Sequence, residues 1–318
     1  MKITLNSHRK ICIAHFTTFY VCLHSTCKMD TKIKECAYNF GYAKRGIALL
    51  IHNEEYDPNS DFNDRLGDNI DFKHMLEIFK KLGFDVRPYR NLTSTDIIEK
   101  AEEVSKMKDL HKESDCFVCV IAAHGEEMEI QTAEGTKEHV IFGTNGKPVR
   151  TSEIVGMFDE RNCKELADKP KFFFIQACRT GQVIGNRLDI GHDVSKVDQM
   201  VRDEIFKTTQ QNSSNQIIDV ECPADTLLMF ASLSSNSAVR TPSTGGWLLA
   251  SLYNQIKEYI KNGKLWSIEF TQVLNSTLQE MATKFYKPSD ETSKWYGAFS
   301  PGCFTHTLSA DVLFNKKL

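Results

Sequence analysis

Residues 116–125 read C-F-V-C-V-I-A-A-H-G, and residues 173–181 read F-F-I-Q-A-C-R-T-G. In each stretch an apolar run ends in a side chain that carries chemistry, His124 in the first and Cys178 in the second. Short apolar runs of this kind are typical of strands that are buried on both faces of a parallel sheet. The carboxyl ends of such strands lie at one edge, where the loops are exposed, so we predict that His124 and Cys178 meet there.

Further apolar runs are spaced along the chain from Gly46 onward, and stretches of helical period separate them. The predicted strands are Ile47 to Ile51, Phe84 to Arg87, Cys116 to Ala123, Phe172 to Ala177 and Leu227 to Ser232. The predicted helices cover residues 72–82, 97–107, a stretch that begins near Ser152, 247–259 and 270–281. This alternation predicts a mostly parallel central sheet with helices on both faces, which is a doubly wound α/β fold.

The composition is that of a globular domain, with 41% hydrophobic and 25% charged residues among 318. A net charge of -3 without a basic stripe argues against nucleic acid as a partner. No stretch reaches the roughly 18 apolar residues of a membrane helix, so no membrane association is predicted. The stretch 11–23 is moderately apolar, but no small-residue cleavage pattern follows it, which leaves a signal peptide as the weaker alternative.

Cysteine usage favours free thiols in a reducing compartment, because the ten cysteines are neither dense nor regularly spaced. We therefore expect a cytoplasmic protein. The single C-x-x-C, Cys116 and Cys119, lies within a predicted strand, where an odd spacing sends the two side chains to opposite faces. Buried packing is the prediction for both, and neither a metal nor an organic cofactor is implied.

The pairing of a cysteine with a histidine indicates nucleophilic chemistry. A thiol is mostly protonated at neutral pH, so a nucleophilic cysteine needs an imidazole that favours the thiolate and later protonates the leaving group. His124 is predicted to do this for Cys178, and the N–H groups of Gly125 and Cys178 are predicted to stabilise an oxyanion. Taken alone, Cys178 reads more often as an inert buried thiol and His124 as a strand cap, so the prediction depends on the pair.

The sequence Q-A-C-R at residues 176–179, with a histidine about 50 residues upstream, resembles the caspase family. The similarity runs from about Lys28 to Leu313. It includes K-M-D before the first strand, H-G-E-E at 124–127, I-F-G-T-N-G at 141–146, K-P-K-F at 169–172 and G-G-W at 245–247. Caspases are cysteine endopeptidases that cut after aspartate, so the resemblance implies that activity and protein substrates with Asp before the scissile bond.

The resemblance also implies a pocket in which Arg65, Gln176 and Arg240 hold the aspartate side chain. The fork of N–H groups on arginine suits a carboxylate. Taken singly, both arginines read more often as surface charges. Val239 stands where many caspases place Trp or Tyr against the second substrate side chain, so the preference at that position should differ here.

Caspases are made as precursors that are cut between a large and a small subunit. By this resemblance residues 1–30 are a short leader, 31–198 the large subunit and 220–318 the small subunit. The polar stretch 182–222 overlaps both as an exposed linker, because it lacks helical or strand period.

Aspartates in these segments are the predicted processing sites. Asp193, Asp198 and Asp219 are the preferred sites in the linker, and Asp30 is the candidate for removal of the leader. The resemblance further implies a homodimer of processed units, with an upstream activating caspase and inhibitor-of-apoptosis proteins as other partners. A leader this short favours an executioner-like role in apoptosis.

Besides Val239, two features depart from the family pattern. Thr180 stands where the family usually has glycine, and a β-branched residue cannot take a glycine-like backbone angle cheaply. The stretch 128–140 contains about a dozen extra residues near the expected rim of the cleft. These departures leave an alternative, a catalytically weak or inactive caspase homologue that regulates an active caspase by dimerisation. A nucleotide-binding enzyme is disfavoured, because no phosphate-binding glycine motif follows a predicted strand.

Overall fold

The structure, a computed structural model, describes residues 10–13, 37–129, 137–180, 220–285, 297 and 299–317. Its strands are β1 (Lys10–Ile13), β2 (Ile47–His52), β3 (Asp85–Arg90), β4 (Phe117–Ala122), β5 (Gly125–Glu129), β6 (Lys137–Phe142), β7 (Pro148–Arg150), β8 (Lys171–Gln176), β9 (Thr226–Phe230), β10 (Arg240–Thr241), β11 (Gly245–Gly246) and β12 (Cys303–His306). Its α-helices are α1 (Asp68–Lys81), α2 (Ser94–Ser105), α3 (Lys108–Lys112), α4 (Thr151–Gly156), α5 (Trp247–Lys261) and α6 (Phe270–Ala282).

The central sheet has the strand order β1-β12-β9-β8-β4-β2-β3. The strands β9, β8, β4, β2 and β3 are parallel. At one edge β12 pairs antiparallel with β9, and β1 pairs antiparallel with β12. These five parallel strands are the five that the sequence predicts, so the mostly parallel sheet is confirmed. The predicted helices are also present, and helix α2 follows the cap residue Thr93, whose side chain accepts the N–H of Asp96 in a capping box.

Helices cover both faces of the sheet, which confirms the doubly wound α/β fold. Side chains on one face of the strands pack with α1, α5 and α6, and those on the other face pack with α2 and α4. Cys116 lies in the first layer and Cys119 in the second, and both are free, buried thiols. Burial raises the pKa of both thiols, as expected for cysteines that serve only packing.

A small antiparallel sheet, β5-β6-β7, follows directly after β4. Residues 128–129 belong to its strand β5 and residues 137–140 to β6, so the two ends of the predicted insertion are arms of a hairpin. Residues 130–136 lie outside the described part. Among the helices that are described, none has both the length and the apolar character that a membrane crossing requires.

The start of β2 depends on a glycine. Gly46 has a φ of +135°, and a methyl group on it would lie 1.8 Å from the carbonyl oxygen of Cys116, at the start of the neighbouring β4. This glycine therefore lets two central strands begin side by side, because no larger residue fits between their backbones.

We predict that Gly46→Ala lowers the free energy of unfolding by about 2 kcal/mol or more, since a strained backbone angle alone costs about 1–3 kcal/mol. The matched control is Gly156→Ala at the end of α4, where a methyl group would meet no atom within 4 Å. Urea unfolding of both variants measures the difference. An equal loss in the two would contradict the role assigned to Gly46.

Candidate active site

The register of β4 against β8 determines where the two reactive side chains lie along the direction of the strands. Ala122 is paired in register with Gln176, and the N–H of Ala123 donates to the Gln176 carbonyl at 3.3 Å. His124 and Cys178 each stand two residues beyond the Ala122–Gln176 pair. The structure therefore brings both to the same level at the carboxyl edge of adjacent parallel strands.

His124 is buried between two aromatic rings. Its ring centroid lies 4.7 Å from that of Tyr56 and 4.9 Å from that of Phe62. Its Nε2 lies 2.8 Å from the carbonyl oxygen of Asn63. A carbonyl only accepts, so Nε2 carries the hydrogen, and in the neutral ring the lone pair is on Nδ1. The backbone N–H of His124 donates to the Tyr56 hydroxyl at 3.0 Å, which fixes the base of the side chain.

Gly125 brings β5 against the Cys178 loop. A methyl group on Gly125 would lie 2.8 Å from Cβ of Ala177 and 3.0 Å from the carbonyl oxygen of Cys178. Glu127, on the same side of β5, donates its N–H to the Thr180 carbonyl at 2.9 Å. The backbone on this side of β5 therefore faces the loop that carries Cys178.

Cys178 is buried, with 7% of the residue exposed. Its sulfur accepts the backbone N–H of Ala238 at 3.2 Å, and its S–H donates to the carbonyl of the same residue at 3.8 Å. The next residue, Arg179, is held by a buried ion pair, because its Nε donates to Glu127 Oε1 at 2.8 Å. The other oxygen of Glu127 accepts the Ser234 hydroxyl at 2.8 Å. The loop is thus tied to β5 on one side and to residues 233–236 on the other.

The backbone at Thr180 is not strained. Among the described non-glycine residues, a positive φ occurs at Asn91, Asp168, Asp225 and Ser235, and Thr180 is not one of them. A positive φ, which glycine adopts more easily than threonine, is therefore not required at position 180 in this structure.

Arg65, Gln176 and Arg240 lie in one buried cluster. Arg240 donates through Nη1 to the carbonyl of Leu66, the residue after Arg65. Arg240 is also paired with Gly246, and a methyl group on Gly246 would lie 2.4 Å from the amide carbon of Gln176. Since Gln176 ends β8 and precedes Cys178 by two residues, the cluster lies next to the nucleophile candidate.

Two buried carboxyl groups accompany the arginines. Asp68 accepts from Nη1 of Arg65 at 2.8 Å and from Nδ1 of His52 at 3.1 Å. Burial opposes its ionisation, but the charges of His52 and Arg65 outweigh burial and hold the pKa of Asp68 below its usual value. Asp71 accepts the N–H of Gly246 at 2.8 Å. Burial, together with the charge of Asp68, raises the pKa of Asp71 well above its usual value.

Other predicted site residues are placed differently or lie outside the described part. Val239 is 1% exposed and packs in the hydrophobic core, and its carbonyl accepts the N–H of Trp247 at 3.0 Å. Its predicted contact with substrate stays a prediction. The aspartates predicted as processing sites all lie outside the described residues, namely Asp30, Asp193, Asp198 and Asp219.

Several residues of the site were not predicted from the sequence. Asn63 contributes a backbone carbonyl, which carries no residue-type signal. Asp68 did carry a signal, because it stands three residues after Arg65 at the start of a helix. His139 of β6 lies 3.1 Å through Nε2 from the Cys178 carbonyl, a contact across two sheets that no sequence spacing indicates.

Comparison with known proteins agrees with this geometry. The family model described as the caspase domain matches residues 45–313. The chain is 30% identical to caspase-3 of Mus musculus over 293 residues, and the match covers 92% of each chain. It is 30% identical to caspase-3 of Oryctolagus cuniculus over 294 residues, with the same coverage of both chains. The chain belongs to the caspase family, and is at that level a cysteine peptidase.

We predict that replacing Asp68 and Asp71 with Asn lowers the free energy of unfolding by different amounts. Asp68→Asn should lower the free energy of unfolding at pH 7 by about 3 kcal/mol, because it leaves Arg65 as a buried charge without its carboxylate. Asp71→Asn should cost less than Asp68→Asn, because burial and the charge of Asp68 already oppose ionisation of the wild-type carboxyl group.

Urea unfolding as a function of pH measures both variants. The pKa of Asp68 is lowered by folding, so its contribution is present above the unfolded pKa of about 3.9 and is lost as pH falls below it. The difference between wild type and Asp68→Asn should therefore shrink below about pH 4. Equal losses in the two variants at pH 7 would contradict the assigned charges.

Proposed function

We propose that this chain is an active endopeptidase that cleaves after aspartate, with Cys178 as nucleophile and His124 as acid and base. The observation that carries the proposal is the equal level of the two side chains at the carboxyl edge of adjacent parallel strands. The cluster of Arg65, Gln176 and Arg240 beside them supports a pocket for a carboxylate.

The hydrogen bonds of the site support a consistent course of proton transfers. Nδ1 of His124 takes the proton of the Cys178 thiol, while Nε2–H stays bound to the Asn63 carbonyl and stabilises the imidazolium. The sulfur then bonds to the carbonyl carbon of the scissile peptide. The developing oxyanion is stabilised by the N–H groups of Gly125 and Cys178.

The intermediate then collapses and is hydrolysed. The C–N bond breaks as His124 gives its proton to the leaving amine, which leaves a thioester on Cys178. Water attacks the thioester carbon as His124 takes one of its protons. The C–S bond breaks, and the acid product leaves with Cys178 again as thiolate or thiol.

Specificity for aspartate follows from charge-assisted hydrogen bonds. Arg65 and Arg240 offer guanidinium N–H groups, and Gln176 offers an amide N–H, to a substrate carboxylate. Arg65 is anchored by Asn53 and Asp68 through Nη1, so its direction is fixed before substrate binds. A fixed donor loses less entropy on binding than a mobile one does.

Family membership supports a wider set of proposals about maturation and partners. We propose a cytoplasmic zymogen that is cut in residues 182–222, at Asp193, Asp198 or Asp219, and loses its leader at Asp30. The processed units form a homodimer of large (31–198) and small (220–318) subunits. An upstream caspase activates it, inhibitor-of-apoptosis proteins bind it, and its role is execution of apoptosis, as the similarity to caspase-3 supports.

The direct test is hydrolysis of pooled fluorogenic tetrapeptides that end in Asp, with matched peptides that end in Glu or Asn. We expect turnover of the Asp peptides alone, and none in Cys178→Ala, which also remains uncut. The control is Cys163→Ala, which removes another buried free thiol outside the site and should keep full activity. Turnover that persists in Cys178→Ala would exclude it as nucleophile. A folded wild type without turnover would favour the inactive, regulatory homologue.

A second prediction concerns the pocket. Arg240→Ala should lower kcat/KM on Asp peptides by at least about 10- to 100-fold, since each hydrogen bond to a charged group contributes about 1.5–3 kcal/mol. Alkylation of Cys178 by iodoacetamide should stay at the wild-type rate, because the nucleophile keeps its own contacts. Unchanged hydrolysis would remove Arg240 from the pocket, and slowed alkylation would point instead to a disturbed fold.

A further inference from the structure

We propose that His139 is a positioning residue for the nucleophile, which it holds by donating Nε2–H to the carbonyl of Cys178. Thr151 fixes the imidazole in the tautomer that this contact needs. The inference rests on the proposed role of Cys178, and adds to it a second histidine that takes no proton during the reaction.

The tautomer of His139 is determined by its two partners. Nε2 lies 3.1 Å from the Cys178 carbonyl oxygen, which can only accept, so Nε2 carries the hydrogen. Nδ1 lies 2.7 Å from the Thr151 hydroxyl, which must then donate. The ring is 1% exposed and packs edge-on to Phe230 at 5.3 Å, so no solvent competes for either hydrogen bond.

The peptide unit between Cys178 and Arg179 is held from both sides. His139 binds its carbonyl from β6, and its N–H, on Arg179, donates to the carbonyl of Asn236 at 2.9 Å. A peptide unit is planar, so two hydrogen bonds at opposite sides fix its orientation. The same unit sets the backbone angle ψ of Cys178, and thereby limits the directions in which its sulfur and its N–H point.

His139 acts as a constant donor because it stays neutral. Burial, together with the positive charge of Arg179, lowers the pKa of His139 to about 3. The ring therefore does not titrate in the pH range of the proposed reaction, unlike a histidine that carries protons. Its effect is on where the thiol lies relative to His124.

The chain offers a matched control in His111. This histidine is also fully buried and also donates Nε2–H to a backbone carbonyl, that of Val104, at 2.8 Å. Burial lowers its pKa as well. It lies in α3 and has no contact with the Cys178 loop among the hydrogen bonds that the structure describes. A substitution there measures the general cost of losing a buried neutral histidine.

The experiment compares His139→Gln, His139→Asn, Thr151→Val and His111→Asn in the full chain. A Gln side chain is long enough to bring an amide N–H to the place of Nε2–H, whereas an Asn amide reaches only to the place of Nδ1. The readouts are the rate of iodoacetamide alkylation at Cys178, followed by mass spectrometry across pH 6–10, with kcat and KM on an Asp peptide.

We expect His139→Gln to keep alkylation and kcat near the wild-type values. His139→Asn and Thr151→Val should alkylate about 3- to 10-fold more slowly at pH 7, which corresponds to one lost neutral hydrogen bond. Their rates should approach wild type above about pH 9, where the thiol ionises without help. We expect kcat to fall in parallel and KM to change little, while His111→Asn lowers Tm and leaves both rates unchanged.

Three outcomes would overturn the inference. The first is that His139→Gln and His139→Asn are alkylated at the same rate. The second is that Thr151→Val is alkylated at the wild-type rate. The third is that His111→Asn slows alkylation as much as His139→Asn does. Failure of the proposed function is distinguishable, because alkylation needs no turnover. A wild type that alkylates at Cys178 no faster than a denatured thiol at pH 7 has no activated nucleophile, and both proposals then fail together.

Discussion

The parallel pairing of β4 with β8 is the constraint on which the rest of the site depends. Its register puts Ala122 opposite Gln176, and from that one pairing the positions of His124, Gly125 and Cys178 follow. The two strands are fully buried and hydrogen-bonded on both sides within the central sheet, so their ends are held as rigidly as any part of the fold. The two segments that carry His124 and Cys178 therefore begin at positions that strand pairing fixes.

Around that pairing the chain buries two ion pairs. Arg65 with Asp68, and Arg179 with Glu127, are ion pairs whose side chains are at most 5% exposed. Removing such groups from water costs several kcal/mol for each ion, which pairing and hydrogen bonds only partly offset. The benefit is geometric, because the Arg179–Glu127 pair joins the loop after β8 to β5, and Asp68 fixes the direction of the Arg65 guanidinium from the start of α1. A hydrophobic contact of equal area would not fix the direction of a donor.

The sequence predicted those parts of the fold that depend on the periodicity of apolar residues. The five parallel strands and the helices follow from it. The edge strand β12 and the small sheet β5-β7 were not predicted, because their side chains mix polar and apolar types and pairing alone defines them. Within the site, too, the sequence predicted only the residues that follow an apolar run. His124 and Cys178 follow apolar runs, whereas the Asn63 carbonyl and the contact of His139 with a residue 39 positions away depend on tertiary structure.

Gln176 is the last residue of β8, and Cys178 lies two residues further along the chain, in the loop that follows. Only Ala177 stands between them, so their Cα atoms can be at most about 7 Å apart, which is the reach of two extended residues. A connection this short cannot take up an inserted residue without moving one of its two ends. Under the proposed function, it limits the space between the sulfur and the pocket amide, and with it the length of the side chain that fits before the scissile bond.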